Sequence, residues 1–236
     1  MGNKLQNTAT LVNRVVHNEK YIQCTFELEE SFSQRPQAGQ YVSFRLGERK
    51  EIRSYSICSM PSDSKSFDLM VDVTPQGIGT TFLQNAEIGT QVELLGPLGR
   101  FVLSEGIENK KVFLIGTGSG VAPLRAMVLD LLRNRKTTQQ VTLMWGERFS
   151  QNLIWQDEMK ELESKFPNFK FIPVISRPAE TDQCAKGRVT GCIDPMHLTE
   201  NTEYYLCGGK AMIEETMEIL QKKWVDRSVI FHEKFD

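Results

Sequence analysis

Residues 116–123, Gly-Thr-Gly-Ser-Gly-Val-Ala-Pro, constrain this chain more than any other stretch. They follow an apolar, β-forming run that ends at Ile115. They precede an amphipathic segment, 124–132, whose apolar residues recur at helical spacing. Three glycines between a strand and a helix let the backbone turn sharply and approach a ligand closely. Pro123 suits the first turn of a helix, where its missing N–H has no partner to lose. The unmet N–H groups and the positive end of the helix dipole make such a turn a site for phosphate. The pattern departs from the dinucleotide fingerprint G-x-G-x-x-G, because Val121 stands at the third glycine, and it lacks the lysine of a P-loop. A merely structural turn is the alternative, so the rest of the chain must decide.

After residue 110, strand-like segments (112–115, 141–145, 169–175, 204–207, 229–232) alternate with helix-like ones (124–133, 154–165, 211–223). Such alternation predicts βαβ units and a parallel sheet with helices on both faces. Ligands of these folds bind beyond the carboxyl ends of the strands. Gly116, Gly146, Ser176 and Gly208 all follow predicted strands, so all four are expected at one crevice. Arg148, Ser176, Arg177 and Arg188 gather near it, a hydroxyl and three guanidinium groups suited to a phosphomonoester. Glu147 instead suits a free ribose hydroxyl, which leaves both nucleotide types open. Cys207-Gly208-Gly209 places a small thiol before a flexible turn into the last helix.

Residues 9–103 read differently. Short β-like segments (12–16, 21–28, 41–46, 54–59, 67–73, 91–95) are punctuated by Gly, Pro, Asn, Asp and Ser, and only 79–86 looks helical. Strands at this spacing predict a small barrel or sandwich. The polar patch 104–110 marks the boundary, giving domains 1–106 and 107–236. Two places in this part are chemically unusual. At Arg53-Ser54-Tyr55-Ser56, strand alternation puts Arg53 and Tyr55 on one face. The guanidinium can grip a pyrophosphate, the phenol ring can stack on a planar ligand, and a serine hydroxyl can meet a ring nitrogen. At Gly77-Ile78-Gly79-Thr80-Thr81, a glycine turn opens a short helix, either to bind an anion or with Thr80 as its cap.

Charge and composition exclude several classes. With 28 basic and 30 acidic residues the net charge is -2, so nothing points to nucleic acid. No run of roughly 18 apolar residues exists to span a membrane. Residues 1–10 lack the apolar core of a signal peptide, and the five cysteines follow no disulfide spacing, so a cytoplasmic protein is expected. No C-x4-C-x2-C run provides an iron–sulfur cluster, and the three histidines lack metal-ligand spacing.

In this order the motifs resemble those of the ferredoxin–NADP+ reductase superfamily. Its flavin motif R-x-Y-S-x-x-S is Arg53 to Ser59, its phosphate motif G-x-x-[ST]-x-x-L is Gly77 to Leu83, and its G-P-x-G-x-F turn is Gly96 to Phe101. Its nucleotide loop is read at Gly116-Thr117-Gly118 with Ala122-Pro123. Cys207-Gly208-Gly209 and the terminal Glu233-Lys234-Phe235 complete the set. The resemblance implies a Greek-key antiparallel β-barrel holding FAD, with FMN as the alternative, followed by an α/β domain binding NADPH, with NADH as the alternative. Arg53 would hold the flavin phosphates, with Ser54 beside it. Tyr55 and Phe235 would stack on the two ring faces, and Ser56 would sit near N5. Met70, Val71 and Val73 would line the flavin, while Gly77, Gly79, Thr80 and Thr81 would hold its pyrophosphate. Gly116, Thr117, Gly118 and Pro123 would take the nucleotide's pyrophosphate, and Arg148, Ser176, Arg177 and Arg188 its 2'-phosphate. Cys207, Gly208 and Gly209 would lie at the nicotinamide, with Glu233 as a proton-relay partner. The function implied is hydride transfer between NADPH and FAD, with single electrons passed to a separate carrier protein, ferredoxin or flavodoxin; the alternatives are an NADH-dependent reductase component of an oxygenase system and a non-catalytic docking module that retains the fold.

Overall fold

The computed structural model describes residues 6–47, 51–62, 65–182, 184–193 and 199–235. The chain divides into two compact units, Met1–Leu103 with Arg125–Met127, and Ser104–Leu124 with Val128–Asp236.

The first unit holds β1 (Gln6–Val16), β2 (Tyr21–Leu28), β3 (Tyr41–Leu46), β4 (Glu51–Ser56), β5 (Ser66–Asp72), α1 (Ile78–Asn85) and β6 (Gln91–Leu98). Every pairing is antiparallel, in the order β4-β3-β6-β1-β2-β5. A bridge between Ile57 and Leu69 brings the two ends together and closes the Greek-key barrel. Alternation along the strands turns Leu11, Cys24, Phe26, Phe44, Leu69, Val71 and Leu94 into one buried core. Phe26 is its centre, with ring centroids 5.0 Å from Phe44 and 5.8 Å from Phe67. Burying an aromatic ring of this size contributes about 1.5–3 kcal/mol. Strand β1 begins six residues earlier than its apolar pattern predicts. Its first half is polar, and it is held by pairing on both sides, to β2 and to β6. A bulge between Leu11 and Asn13 leaves Val12 exposed.

The second unit holds β7 (Lys111–Thr117), α2 (Val121–Leu129), β8 (Val141–Glu147), α3 (Gln156–Lys165), β9 (Phe169–Ile175), β10 (Ala185–Lys186), β11 (Thr202–Gly209), α4 (Lys210–Lys222) and β12 (Ile230–Phe235). The sheet is parallel, in the order β10-β9-β8-β7-β11-β12. From β7 the chain crosses to β8 on one side, and β11 lies on the other, so the switch point falls between β7 and β11. Ligands of open parallel sheets bind outside the strand ends there. The helix expected over 124–133 changes pitch: α2 ends at Leu129 and a π-helical turn covers Asp130–Asn134. Asp130 sets that turn, its carbonyl accepting from Arg135 N–H at 2.8 Å and its carboxylate accepting from Asn134 and from Arg135.

The polar patch 104–110 is not a loose linker. Ser104 Oγ lies 2.9 and 2.8 Å from the two carboxylate oxygens of buried Glu203, Tyr205 Oη donates to the same carboxylate at 2.7 Å, and Lys110 pairs with it. A carboxylate buried without such donors would cost several kcal/mol. The network therefore ties the start of this unit to β11, the strand that ends in Cys207-Gly208-Gly209.

Candidate active site

In the first unit, strand β4 carries Arg53, Ser54, Tyr55 and Ser56, and α1 begins one residue after Gly77. The barrel brings these two stretches together. A Cβ built on Gly79 would stand 2.2 Å from Tyr55 Oη and 3.1 Å from Arg53 Cγ, so only glycine fits there. Tyr55 is packed from behind by Phe44, ring centroids 5.8 Å apart. Burial pushes its phenol up to about 12, so it is a neutral donor at physiological pH. Ser56 is 6% exposed. Arg53 is exposed and pairs with Glu51 at 2.8 Å, an interaction of small value at such a surface. Its guanidinium can therefore be redirected to a stronger anion.

The remaining flavin candidates divide. Ser54 bonds Ser43 across the ladder at 2.8 Å. The Thr80 hydroxyl serves as a cap: it accepts from Gly77 N–H at 2.9 Å and donates to the Pro75 carbonyl at 2.6 Å. Thr81 N–H is already bound to Gly77 O. What α1 offers an anion is thus the Thr81 hydroxyl and the amides of its first residues. Val71 and Val73 belong to the barrel core, and Met70, also buried, lies on the other face of β5 by alternation. Only the backbone of the two valines is available to a ligand.

In the second unit, the parallel ladder aligns Trp145, Gly116, Cys207 and Glu233 in one row across β8, β7, β11 and β12. Gly118 has φ +58 and Gly208 φ +148, both in the region that favours glycine. Gly118–Gly120 forms a 3-10 turn into α2, with Pro123 in the first turn of that helix. A Cβ on Gly120 would lie 2.3 Å from the Cys207 carbonyl oxygen, and one on Gly208 2.4 Å from Thr117 Oγ1. The glycines thus let the loop after β7 seat directly on the end of β11. Phe235 is the ladder partner of Gly209. Asp236 lies outside the described residues.

Cys207 is fully buried, and burial, reinforced by the nearby Glu233 charge, raises its thiol well above the ordinary value. It remains a neutral thiol and is no nucleophile. Glu233 Oε2 is buried with no hydrogen-bond partner among the described residues. Burial raises its carboxyl to about 7. A carboxyl so placed holds a proton below neutrality and keeps one oxygen's hydrogen-bonding capacity unused. The folded carboxyl binds its proton more tightly than the unfolded one, so stability falls as pH rises from about 4.5 to about 7. Glu233→Gln should therefore raise the melting temperature more at pH 8 than at pH 5. Thermal melts at the two pH values check this.

On the far side of the sheet, Arg148, Ser176, Arg177, Gly187 and Arg188 line a cavity of about 410 Å³. Ser176 N–H donates to Glu147 O and Arg177 N–H to Arg148 O, each at 2.9 Å, so the loops after β8 and β9 are laced together. Glu147 is only 5% exposed, and its carboxylate turns back toward the Arg148 amide at 3.4 Å. It does not line the cavity, which is left cationic.

Residues 8–103 match the family model for the oxidoreductase FAD-binding domain, and residues 114–218 that for the oxidoreductase NAD-binding domain. The chain thus carries an oxidoreductase FAD-binding domain followed by an oxidoreductase NAD-binding domain. Among curated relatives, the phenol 2-monooxygenase reductase component DmpP of Pseudomonas sp. (strain CF600) is 31% identical over 205 residues, covering 84% of this chain and 57% of that protein. The chain spans less than two thirds of the length of the curated relatives it matches. Among solved structures, the cytochrome P450 reductase GcoB of Amycolatopsis superposes with a TM-score of 0.89 at 26% identity, over 98% of this chain and 69% of that one. A ferredoxin NADP+ reductase from Neisseria gonorrhoeae, solved with FAD and NADP bound, shares the fold at a TM-score of 0.82 and 21% identity, over 99% of both chains. Among the described residues, no helix is long and apolar enough to cross a membrane, and no cluster of His, Cys, Asp and Glu could hold a metal.

Proposed function

We propose that this protein is a flavin-dependent NAD(P)H oxidoreductase that hands electrons to a separate protein. The observation that carries the reading is the meeting of Arg53, Tyr55 and Gly79, three residues from two motifs that have no reason to touch in a plain barrel. In this reading the first unit holds FAD. Tyr55 supports the ring, Arg53 leaves Glu51 for the phosphates, and the start of α1 takes the pyrophosphate. The second unit holds the nicotinamide nucleotide at the loop 116–123. Cys207 contributes a small neutral wall, and Glu233 holds a proton close by.

When bound, the flavin supplies the chemistry that a side chain cannot, accepting two electrons as hydride and releasing them one at a time. The chain's own task is to position the reactants and exclude water. NADPH is the preferred donor, because the cationic cavity after β8 and β9 suits a phosphomonoester and Glu147 is turned away from it. The recipient is a one-electron carrier such as ferredoxin or flavodoxin, or an oxygenase component. Relatives named as a monooxygenase reductase component and a dioxygenase electron transfer component support the second choice, in which NADH is the alternative donor. A cytoplasmic location belongs to the same reading, since no disulfide joins the five cysteines.

The test is an absorption spectrum of the purified protein and an anaerobic titration with NADPH and then NADH. Flavin bands near ~450 nm that bleach at lower NADPH than NADH concentration are expected. Bleaching by NADH alone would move the protein to the NADH-using branch. No flavin uptake from added FAD would overturn the reading.

A further inference from the structure

Trp145 ends the strand that the sequence predicts over 141–145. It is fully buried in the middle of β8 and packs on Trp155, ring centroids 6.2 Å apart. Its indole N–H nevertheless leaves the apolar interior and donates to the Gly118 carbonyl at 3.3 Å. That carbonyl lies in the glycine loop, 27 residues away in the chain, and also receives the Val121 N–H that closes the 3-10 turn.

A carbonyl at the mouth of a phosphate-binding loop is a hazard. If it turned outward, its partial negative charge would face the ligand's phosphates. The peptide unit is planar and trans, so the carbonyl of Gly118 and the N–H of Ser119 point in opposite directions. Gly118, at φ +58, carries no side chain that would resist a flip of this plane. Within the loop the Val121 N–H holds this carbonyl, and a second donor from outside the loop fixes it further. Trp145 is that second donor: by adding its hold on the inward carbonyl it keeps the Ser119 amide turned outward. Its ladder partner is Gly116, so the loop and its anchor spring from the same level of the sheet.

We infer that Trp145 is a positioning residue for nucleotide binding, setting the peptide plane of Gly118–Ser119 so that the loop presents an amide to the pyrophosphate. The inference rests on the nucleotide reading of the second unit.

Trp145→Phe keeps a buried ring against Trp155 and removes the donor. Benzothienylalanine at position 145, in which sulfur replaces the indole N–H, does the same at constant shape, and serves if the phenylalanine variant folds poorly. Binding of NADP+ to the flavin-loaded protein is measured by titration calorimetry, alongside flavin content, thermal melting and steady-state kinetics with ferricyanide. Both variants should weaken NADP+ binding about tenfold, equal to about 1.4 kcal/mol. KM for NADPH should rise by a similar factor while kcat stays within about twofold, as expected when binding alone is lost. Trp155→Phe, which leaves the Gly118 contact alone, should bind NADP+ like the wild type. Unchanged binding in the position-145 variants would overturn the inference, as would equal weakening in Trp155→Phe, which would assign the effect to packing. Wild-type protein that binds neither NADP+ nor NAD+ would instead overturn the nucleotide reading beneath it.

Discussion

Gly79→Ala is expected to strip flavin from the protein while leaving the fold intact. The new Cβ would lie 2.2 Å from Tyr55 Oη and 3.1–3.2 Å from the Arg53 side chain. Arg53 is exposed and can swing aside. The Tyr55 ring cannot: Phe44 and the barrel core stand behind it, and forcing such a packed side chain off its rotamer costs about 1–3 kcal/mol. Against this, alanine favours a helix over glycine by about 1 kcal/mol. The two effects act on different things. The helix gain appears in stability, and the displaced phenol appears in the site. Melting should therefore shift by only a few degrees while the flavin dissociation constant rises at least about tenfold. Flavin-to-protein absorbance ratios after gel filtration, and reconstitution with added FAD, measure this directly. A variant that retained full flavin would show that the Gly79–Tyr55 contact lies away from the ligand.

Tyr55 and Gly79 also show how far the sequence can be read. Both were visible as members of motifs, because a tyrosine in an arginine- and serine-rich strand and a glycine at a helix start are local signals. Their contact depends on closure of the barrel between Ile57 and Leu69, which no local pattern encodes. The alternation of β-forming and helix-forming stretches after residue 110 announced the parallel sheet, since each buried strand there is a run of apolar residues. The register of that sheet was not legible, and register is what sets Cys207 beside Glu233. Thr80 could be read as phosphate ligand or cap, and the geometry shows its hydroxyl capping. Glu147 looked like a ribose ligand from its place after a strand. Whether its carboxylate turned toward the ligand or back into the protein was decided by side-chain packing. Trp145 gave no signal at all, because an indole N–H within an apolar strand looks the same whether or not it finds a distant carbonyl.

The three arginines that line the cavity, Arg148, Arg177 and Arg188, carry the other large expectation. Arg177→Ala and Arg188→Ala should each raise KM for NADPH by at least about tenfold while KM for NADH stays within about threefold. A charge-assisted hydrogen bond to phosphate contributes about 1.5–3 kcal/mol, and a nucleotide without the 2'-phosphate has nothing there to lose. Buried Glu147 gives the reason that NADH gains nothing in return: among the described residues no carboxylate lines the cavity to accept from a free ribose hydroxyl. The phosphate's own titration supplies a second check. A phosphomonoester has its second pKa near about 6, so below that pH the ligand carries less charge while the guanidinium groups keep theirs. The preference for NADPH should accordingly narrow between pH 8 and pH 5 in the wild type, and stay flat in the double variant Arg177→Ala/Arg188→Ala. Ratios of kcat/KM for the two nucleotides across that range measure it. Equal losses for NADPH and NADH in the single variants would sink the phosphate assignment, and the cavity would then be a basic surface with no part in choosing the donor.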